Sequence, residues 1–160
     1  MDRDQLIKAF SATVQASLHG MDALEQLLQR EQALLSGRDA EALEQIAQEK
    51  LALLKQLQHS VEGRDRLQQA AGLQAGLEGG SSLVESVQQP ALRNDWERLV
   101  EQAQRVAELN EINGRLLAQR QRTTREALGI LTGRPEQQDT YSTLRRGGSR
   151  AAAGYSLGKV

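Results

Sequence analysis

The chain has 160 residues and no cysteine, and only 2% of its residues are aromatic although 39% are hydrophobic. This length predicts a single domain, and the aliphatic, glutamine-rich composition is typical of long helices and coiled coils. The absence of cysteine excludes disulfide frameworks, thiolate metal sites and thiol nucleophiles, and a net charge of −1 gives no general attraction to nucleic acid.

The first segment, residues 3–36, carries apolar side chains at alternating steps of three and four, which predicts a long amphipathic helix. Gly37 suits the position just after this helix, and Asp39 suits an N-cap, so a second helix is predicted over residues 40–71. Two helices joined by so short a connection form an antiparallel hairpin.

Glycine and serine are concentrated between positions 72 and 82, which predicts a flexible connection. Ser82 and Glu85 fit a capping box, so a short extra helix is predicted from there through Gln88. Pro90 suits the first turn of a third long helix over residues 90–132. The sequence leaves open whether residues 83–89 form a separate helix or a kinked start of the third one.

The third long helix changes character halfway along. Its core stripe is apolar as far as Val106 but then meets Asn110 and Asn113. One interpretation is that the two asparagines are buried and fix the register of the helices, as single asparagines do in coiled coils. The other is that this half of the helix is a docking surface whose apolar residues are covered only by a partner helix. The helix is also too long to be covered fully by the first two, which favours docking over residues 116–131.

The last segment, residues 134–160, carries a net charge of +3, against −4 for the rest of the chain. It has almost no aliphatic residues, so we expect it to be disordered when free. Tyr141 and Tyr155 are its only aromatic residues, and an aromatic ring in such a segment is a typical anchor on a folded partner.

Together these patterns predict an all-α fold: an antiparallel, coiled-coil-like bundle of three long helices with a short extra helix. A helical domain over residues 1–133 is followed by a flexible basic tail over 134–160. No spacing of His19, His59, serine or carboxylate residues fits a catalytic centre, a metal site or a cofactor site. We therefore expect a non-enzymatic protein without nucleic acid partners. The charged start and the short apolar runs predict neither a secretory signal nor a membrane span, which makes the cytoplasm the expected location.

The order of motifs between Asn110 and Tyr141 resembles the FlgN family of flagellar type III export chaperones. The matching pieces are Asn110-x-x-Asn113-Gly114-x-Leu116-Leu117, then Leu128-Gly129-Ile130-Leu131-x-Gly133, then Thr140-Tyr141. The resemblance implies a cytoplasmic helical chaperone that holds the C-terminal helical segment of hook–filament junction proteins and prevents their premature assembly. It also implies delivery of this cargo to the cytoplasmic domain of the flagellar export gate.

Carried onto this chain, the resemblance places cargo binding on the third long helix and gate binding on the tail. Tyr141 matches the tail tyrosine of the family, although Ser142 follows it where the family often has glycine, and Tyr155 is a second candidate. The predicted cargo-binding residues are Asn110, Asn113, Gly114, Leu116, Leu117, Leu128, Ile130 and Leu131.

The alternative is a structural coiled-coil protein that associates with itself and has no dedicated cargo. Such a protein should keep an apolar seam to the end of its longest helix. The polar second half of the third helix therefore favours the chaperone, while the oligomeric state stays open.

Overall fold

The computed structural model describes residues 2–37 and 39–132, and within them it contains four α-helices and no strand. These are α1 (Arg3–Leu35), α2 (Ala40–Ala70), α3 (Leu77–Val87) and α4 (Pro90–Leu131). The predicted all-α class is therefore confirmed. The chain divides into two units, Met1–Gln121 and Arg122–Val160, and the packed core lies in the first. The predicted tail lies outside the described residues.

The helices α1 and α2 form an antiparallel hairpin. Arg30 pairs with Glu49 at 3.1 Å near the turn, whereas Gly20, farther from it, lies against Leu57. A β-carbon at Gly20 would lie only 2.7 Å from the Leu57 side chain, so the glycine permits close approach of the two helices. The predicted N-cap is confirmed, because the Asp39 carboxylate accepts a hydrogen bond from the Ala42 N–H at 2.9 Å.

Within the first unit, α4 runs parallel to α1. Hydrogen-bonded residues of the two helices are 77 to 86 positions apart in sequence along the whole interface. A nearly constant separation means that both helices advance in the same direction. Because α2 runs the opposite way, the three long helices follow an up-down-up order through Gln121.

Two groups of buried residues form the core. The first surrounds the Phe10 and Trp96 rings, whose centroids are 5.9 Å apart. The second lies nearer the hairpin turn, and its last buried residue from α4 is Val106. Its buried members are Leu24, Leu27, Leu28, Ile46, Leu57 and Val106. Apolar packing by α4 is therefore strong in its first half and ends where the sequence stripe becomes polar.

The prediction that Ser82 caps the short extra helix is wrong. The helix α3 begins at Leu77, and the Ser82 hydroxyl donates to the Glu78 carbonyl at 3.0 Å from inside it. The reason is tertiary packing: Gly80 is buried where a β-carbon would overlap the Trp96 ring. Glycine disfavours helix locally, but here its lack of a side chain lets the tryptophan pack against α3.

The helix α3 is separate from α4, which resolves the alternative left open by the sequence. Gln88 adopts a left-handed conformation with φ of 54° and caps α3, and Pro90 begins α4. A left-handed residue cannot continue a right-handed helix, so the chain turns at this point.

Candidate functional site

The two asparagines of α4 have opposite environments. Asn110 is exposed, whereas Asn113 is only 2% exposed and bonded to α1. Its amide donates to the Leu28 carbonyl at 2.8 Å and to the Glu31 carboxylate at 2.9 Å. Asn113 thus has the surroundings of a buried, register-fixing asparagine, and Asn110 has those of a surface residue.

Glu31, Lys50 and Asn113, one from each long helix, form what we call the polar node. The Lys50 ammonium donates to the Glu31 carboxylate oxygens at 3.0 and 3.3 Å. One of these oxygens also accepts the bond from Asn113. The side chains of Lys50 and Glu31 are only 21% and 14% exposed, so the node forms largely out of contact with water. Within the described part of α4, no residue after Asn113 is buried.

Three apolar side chains around the polar node face solvent, and we call them the distal strip. Ile112 and Leu116 are each 37% exposed, and Leu117 is 41% exposed. Leu109, one turn earlier, is partly buried against the second core group. The predicted residues Leu116 and Leu117 are thus brought together at the surface. Ile112 is absent from the predicted set, although its spacing from Leu109 and Leu116 could have identified it.

Gly114 lies in the same turns of α4 and is also exposed. A β-carbon added there would meet no atom of the described part of the chain within 4 Å. Nothing in its own surroundings therefore requires a glycine, unlike Gly80. A glycine in a helix interior costs about 1 kcal/mol relative to alanine, and what it offers in return is a surface on which another backbone can approach closely.

The remaining predicted cargo residues of α4 belong to the second unit. Leu128, Ile130 and Leu131 are 54%, 80% and 82% exposed. These values describe apolar side chains that are mostly in contact with solvent. The predicted gate residues, Tyr141 and Tyr155, lie outside the described residues.

Other exposed apolar residues and grooves lie away from the distal strip. Leu51 and Leu54 of α2 and Leu77 of α3 are 56%, 46% and 54% exposed. A groove of about 430 Å³ lies among Arg3, Leu6, Leu83 and their neighbours on α1, α2 and α3. A second groove, of about 390 Å³, lies between α1 and α2. Neither of these two grooves is lined by a residue of α4.

Charged side chains near α4 are engaged in pairs across the helices. Arg105 lies 3.7 Å from Glu25, and Gln102 donates to Asp22 and Glu25. Among the described residues, no group of three or more His, Cys, Asp or Glu could hold a metal ion. None of the described helices combines the length and hydropathy needed to cross a bilayer.

The fold and the distal strip fit a class of all-helical proteins that present apolar side chains to a partner. Comparison with known proteins identifies the family within this class. The chain matches the family described as FlgN protein over residues 1–144. It therefore belongs to the FlgN family, a family of flagellar export chaperones, which implies binding of flagellar hook-associated proteins. No curated protein and no solved structure shows a significant match to the chain.

Proposed function

We propose that this protein is a cytoplasmic export chaperone that binds the C-terminal helical segment of hook–filament junction proteins through the distal half of α4. The cargo segment packs against the distal strip and so cannot assemble prematurely. Family membership supports the chaperone role, and the exposure of the distal strip supports its location on α4.

The single observation that carries this proposal is the distal strip. Three large aliphatic side chains within two turns of one helix stay more than a third exposed, although the same helix buries Leu92, Trp96 and Leu99 completely or nearly so. Ile112 and Leu116 lie one turn apart on the same side of Asn113, which is the usual spacing of contacts to an amphipathic helix, and Leu117 lies on the other side.

The distal strip on its own supplies only part of the free energy that cargo binding needs. Full burial of one leucine or isoleucine stabilises by about 1.5–3 kcal/mol, and the residues of the distal strip have somewhat less than half of their surface left to bury. Three such contacts contribute about 2–4 kcal/mol, before the cost of association. Exposed Leu128, Ile130 and Leu131 offer further area on the second unit, and we propose them as additional cargo contacts.

Gly114 supports the same interpretation. Its open surface allows the backbone of a cargo helix to approach α4 closely beside Leu117. Asn110, exposed one turn earlier, is available to donate or accept a hydrogen bond at the edge of the contact. Asn113 is not proposed as a cargo contact, since its amide is already bonded within the bundle.

Self-association through α4 is the alternative, and the polar stretch of the helix argues against it. A self-assembling coil needs an apolar seam along its full length, whereas every residue of α4 from Gln119 to Glu126 is polar or charged.

The test is calorimetric titration of the full-length protein with a peptide that contains the C-terminal helix of a junction protein. We expect Leu116→Asp with Leu117→Asp to weaken binding at least about tenfold, because two carboxylates would have to lose water in the contact. Helicity by circular dichroism should stay unchanged, since both side chains are exposed.

The matched control places aspartate at Leu51 and Leu54, two leucines of α2 that are somewhat more exposed than Leu116 and Leu117. This control should bind the cargo peptide as the unmodified protein does. Equal affinity of the α4 variant and the unmodified protein would remove the distal strip from the cargo site.

We also propose that the tail delivers the cargo to the cytoplasmic domain of the export gate through Tyr141. The family match extends to residue 144 and thus includes Tyr141 but not Tyr155. This favours Tyr141 as the gate contact and leaves Tyr155 as the secondary candidate.

A further inference from the structure

The distal half of α4 could turn either of two faces toward the hairpin. Successive residues of an α-helix are about 100° apart around the axis. We measure angles around the helix axis from the direction of Asn113. On one side of it lie Leu109 at about 40°, Leu116 at about 60° and Ile112 at about 100°. Asn110 and Leu117 lie about 60° and 40° to the other side.

Hydrophobic burial alone would not select the face that is observed. A modest roll of the helix would bury Ile112 and Leu116, which are now 37% exposed, and would turn Asn113 outward. Removing apolar surface from water is favourable, although the roll would also turn Leu117 outward and is resisted by the packed first half of the same helix. A local interaction that opposes the roll therefore strengthens the choice of the observed face.

The polar node supplies that opposition. A roll would separate Asn113 from both of its acceptors and would deprive the largely buried Glu31 carboxylate of a donor. Breaking hydrogen bonds to a buried charged group is costly, because neither partner recovers full hydration. Arg120 restrains the same face, since its guanidinium donates to the Leu34 carbonyl at 3.4 Å.

We infer that the polar node sets the rotation of α4 about its axis between residues 107 and 121, and so keeps Ile112 and Leu116 at the surface. Asn113 is then a positioning residue: it acts on cargo binding through the face it selects and not through contact with the cargo. The consequence for cargo rests on the proposed function, whereas the effect on the helix does not.

The composition of the node agrees with a role in specificity. The Asn113 side-chain carbonyl is buried and has no hydrogen-bond partner among the described residues, although its amide is fully used. A buried carbonyl oxygen without a hydrogen bond lowers the stability of the fold, and an apolar side chain at this position would not have this effect. Buried polar groups that lower stability but fix one arrangement of helices are known from coiled coils.

Single cysteines test the inference, because the chain has none of its own. Leu116→Cys and Leu117→Cys are each made with and without Asn113→Ala, and the rate of thiol alkylation is measured at each position. We expect Asn113→Ala to slow alkylation at position 116, which turns inward, and to accelerate it at position 117, which turns outward. Loosening of the helix without a roll would instead raise both rates.

Two further variants complete the design. Asn110→Ala, the same change at the exposed asparagine, should leave both rates as they are. Glu31→Ala removes the acceptor from α1 and should reproduce the opposite changes, so the test does not depend on one variant. Rates that stay constant, or that rise together, in both Asn113→Ala and Glu31→Ala would overturn the inference.

Cargo binding adds a second measurement. Asn113→Ala should weaken binding of the junction-protein peptide by roughly tenfold, with the cysteine-free chain as reference. If the unmodified protein does not bind that peptide, the proposed function fails, while the alkylation pattern still decides whether the node sets the rotation of α4.

Discussion

Two helical glycines in this chain illustrate how the same residue type can have different physical roles. Gly80 is buried, and a β-carbon there would overlap the Trp96 ring and lie 2.8 Å from the Gln68 amide nitrogen. Gly114 is exposed with open space around it. Packing inside the bundle requires a glycine at position 80, whereas nothing in the described part of the bundle requires one at position 114.

Alanine at each glycine should therefore change stability in opposite directions. Gly80→Ala should lower the free energy of unfolding by about 1–3 kcal/mol, because the core has no room for another methyl group. Gly114→Ala should raise it by up to about 1 kcal/mol, as expected for an unhindered helix interior. Urea unfolding followed by circular dichroism measures both, and a stabilising Gly80→Ala would contradict the packing described for Trp96.

The asparagines show what sequence can and cannot predict at the residue scale. Both fall where the apolar stripe of α4 fails, so the sequence identifies the region. The sequence does not show which asparagine is buried, because that depends on the acceptors of α1. Leu28 and Glu31 place these acceptors beside Asn113. These acceptors are more than 80 positions away in sequence, and no local pattern reveals them.

At the scale of helices, boundaries with local signals were predictable to about one residue. Asp39 caps α2 through a hydrogen bond to the N–H of Ala42, a residue only three positions away, so the cap depends on local sequence alone. The start of α3 was not predictable in this way, since the Trp96 ring packs against Gly80 inside the helix. Tertiary packing overrides local propensity at this point.

The segment after α4 gives a prediction at the same scale. A chain that ends at Gly133 retains the whole packed core and the distal strip, so it should bind the cargo peptide with the affinity of the full chain. It should lose binding to the cytoplasmic domain of the export gate, as should Tyr141→Ala in the full chain. Surface plasmon resonance with the two partners separates these effects, and gate binding by the shortened chain would exclude the tail from delivery.

At the scale of the whole molecule, α4 combines two tasks in one helix. Its first half completes the core through Leu92, Trp96 and Leu99. The described part of its second half contributes no buried apolar residue, and Asn113 joins it to the hairpin through the polar node. Under the proposed function, stability and cargo binding fall on separate stretches of the same helix, so substitutions in the distal strip should alter binding without unfolding the bundle.

The most direct test of this account observes the methyl groups of the unmodified protein. In the NMR spectrum of a sample with labelled isoleucine and leucine methyl groups, addition of the junction-protein peptide should shift the resonances of Ile112, Leu116 and Leu117. Those of Leu51, Leu54 and Leu77, which are at least as exposed, should stay in place. Shifts confined to these three leucines, with no change in the distal strip, would contradict the account.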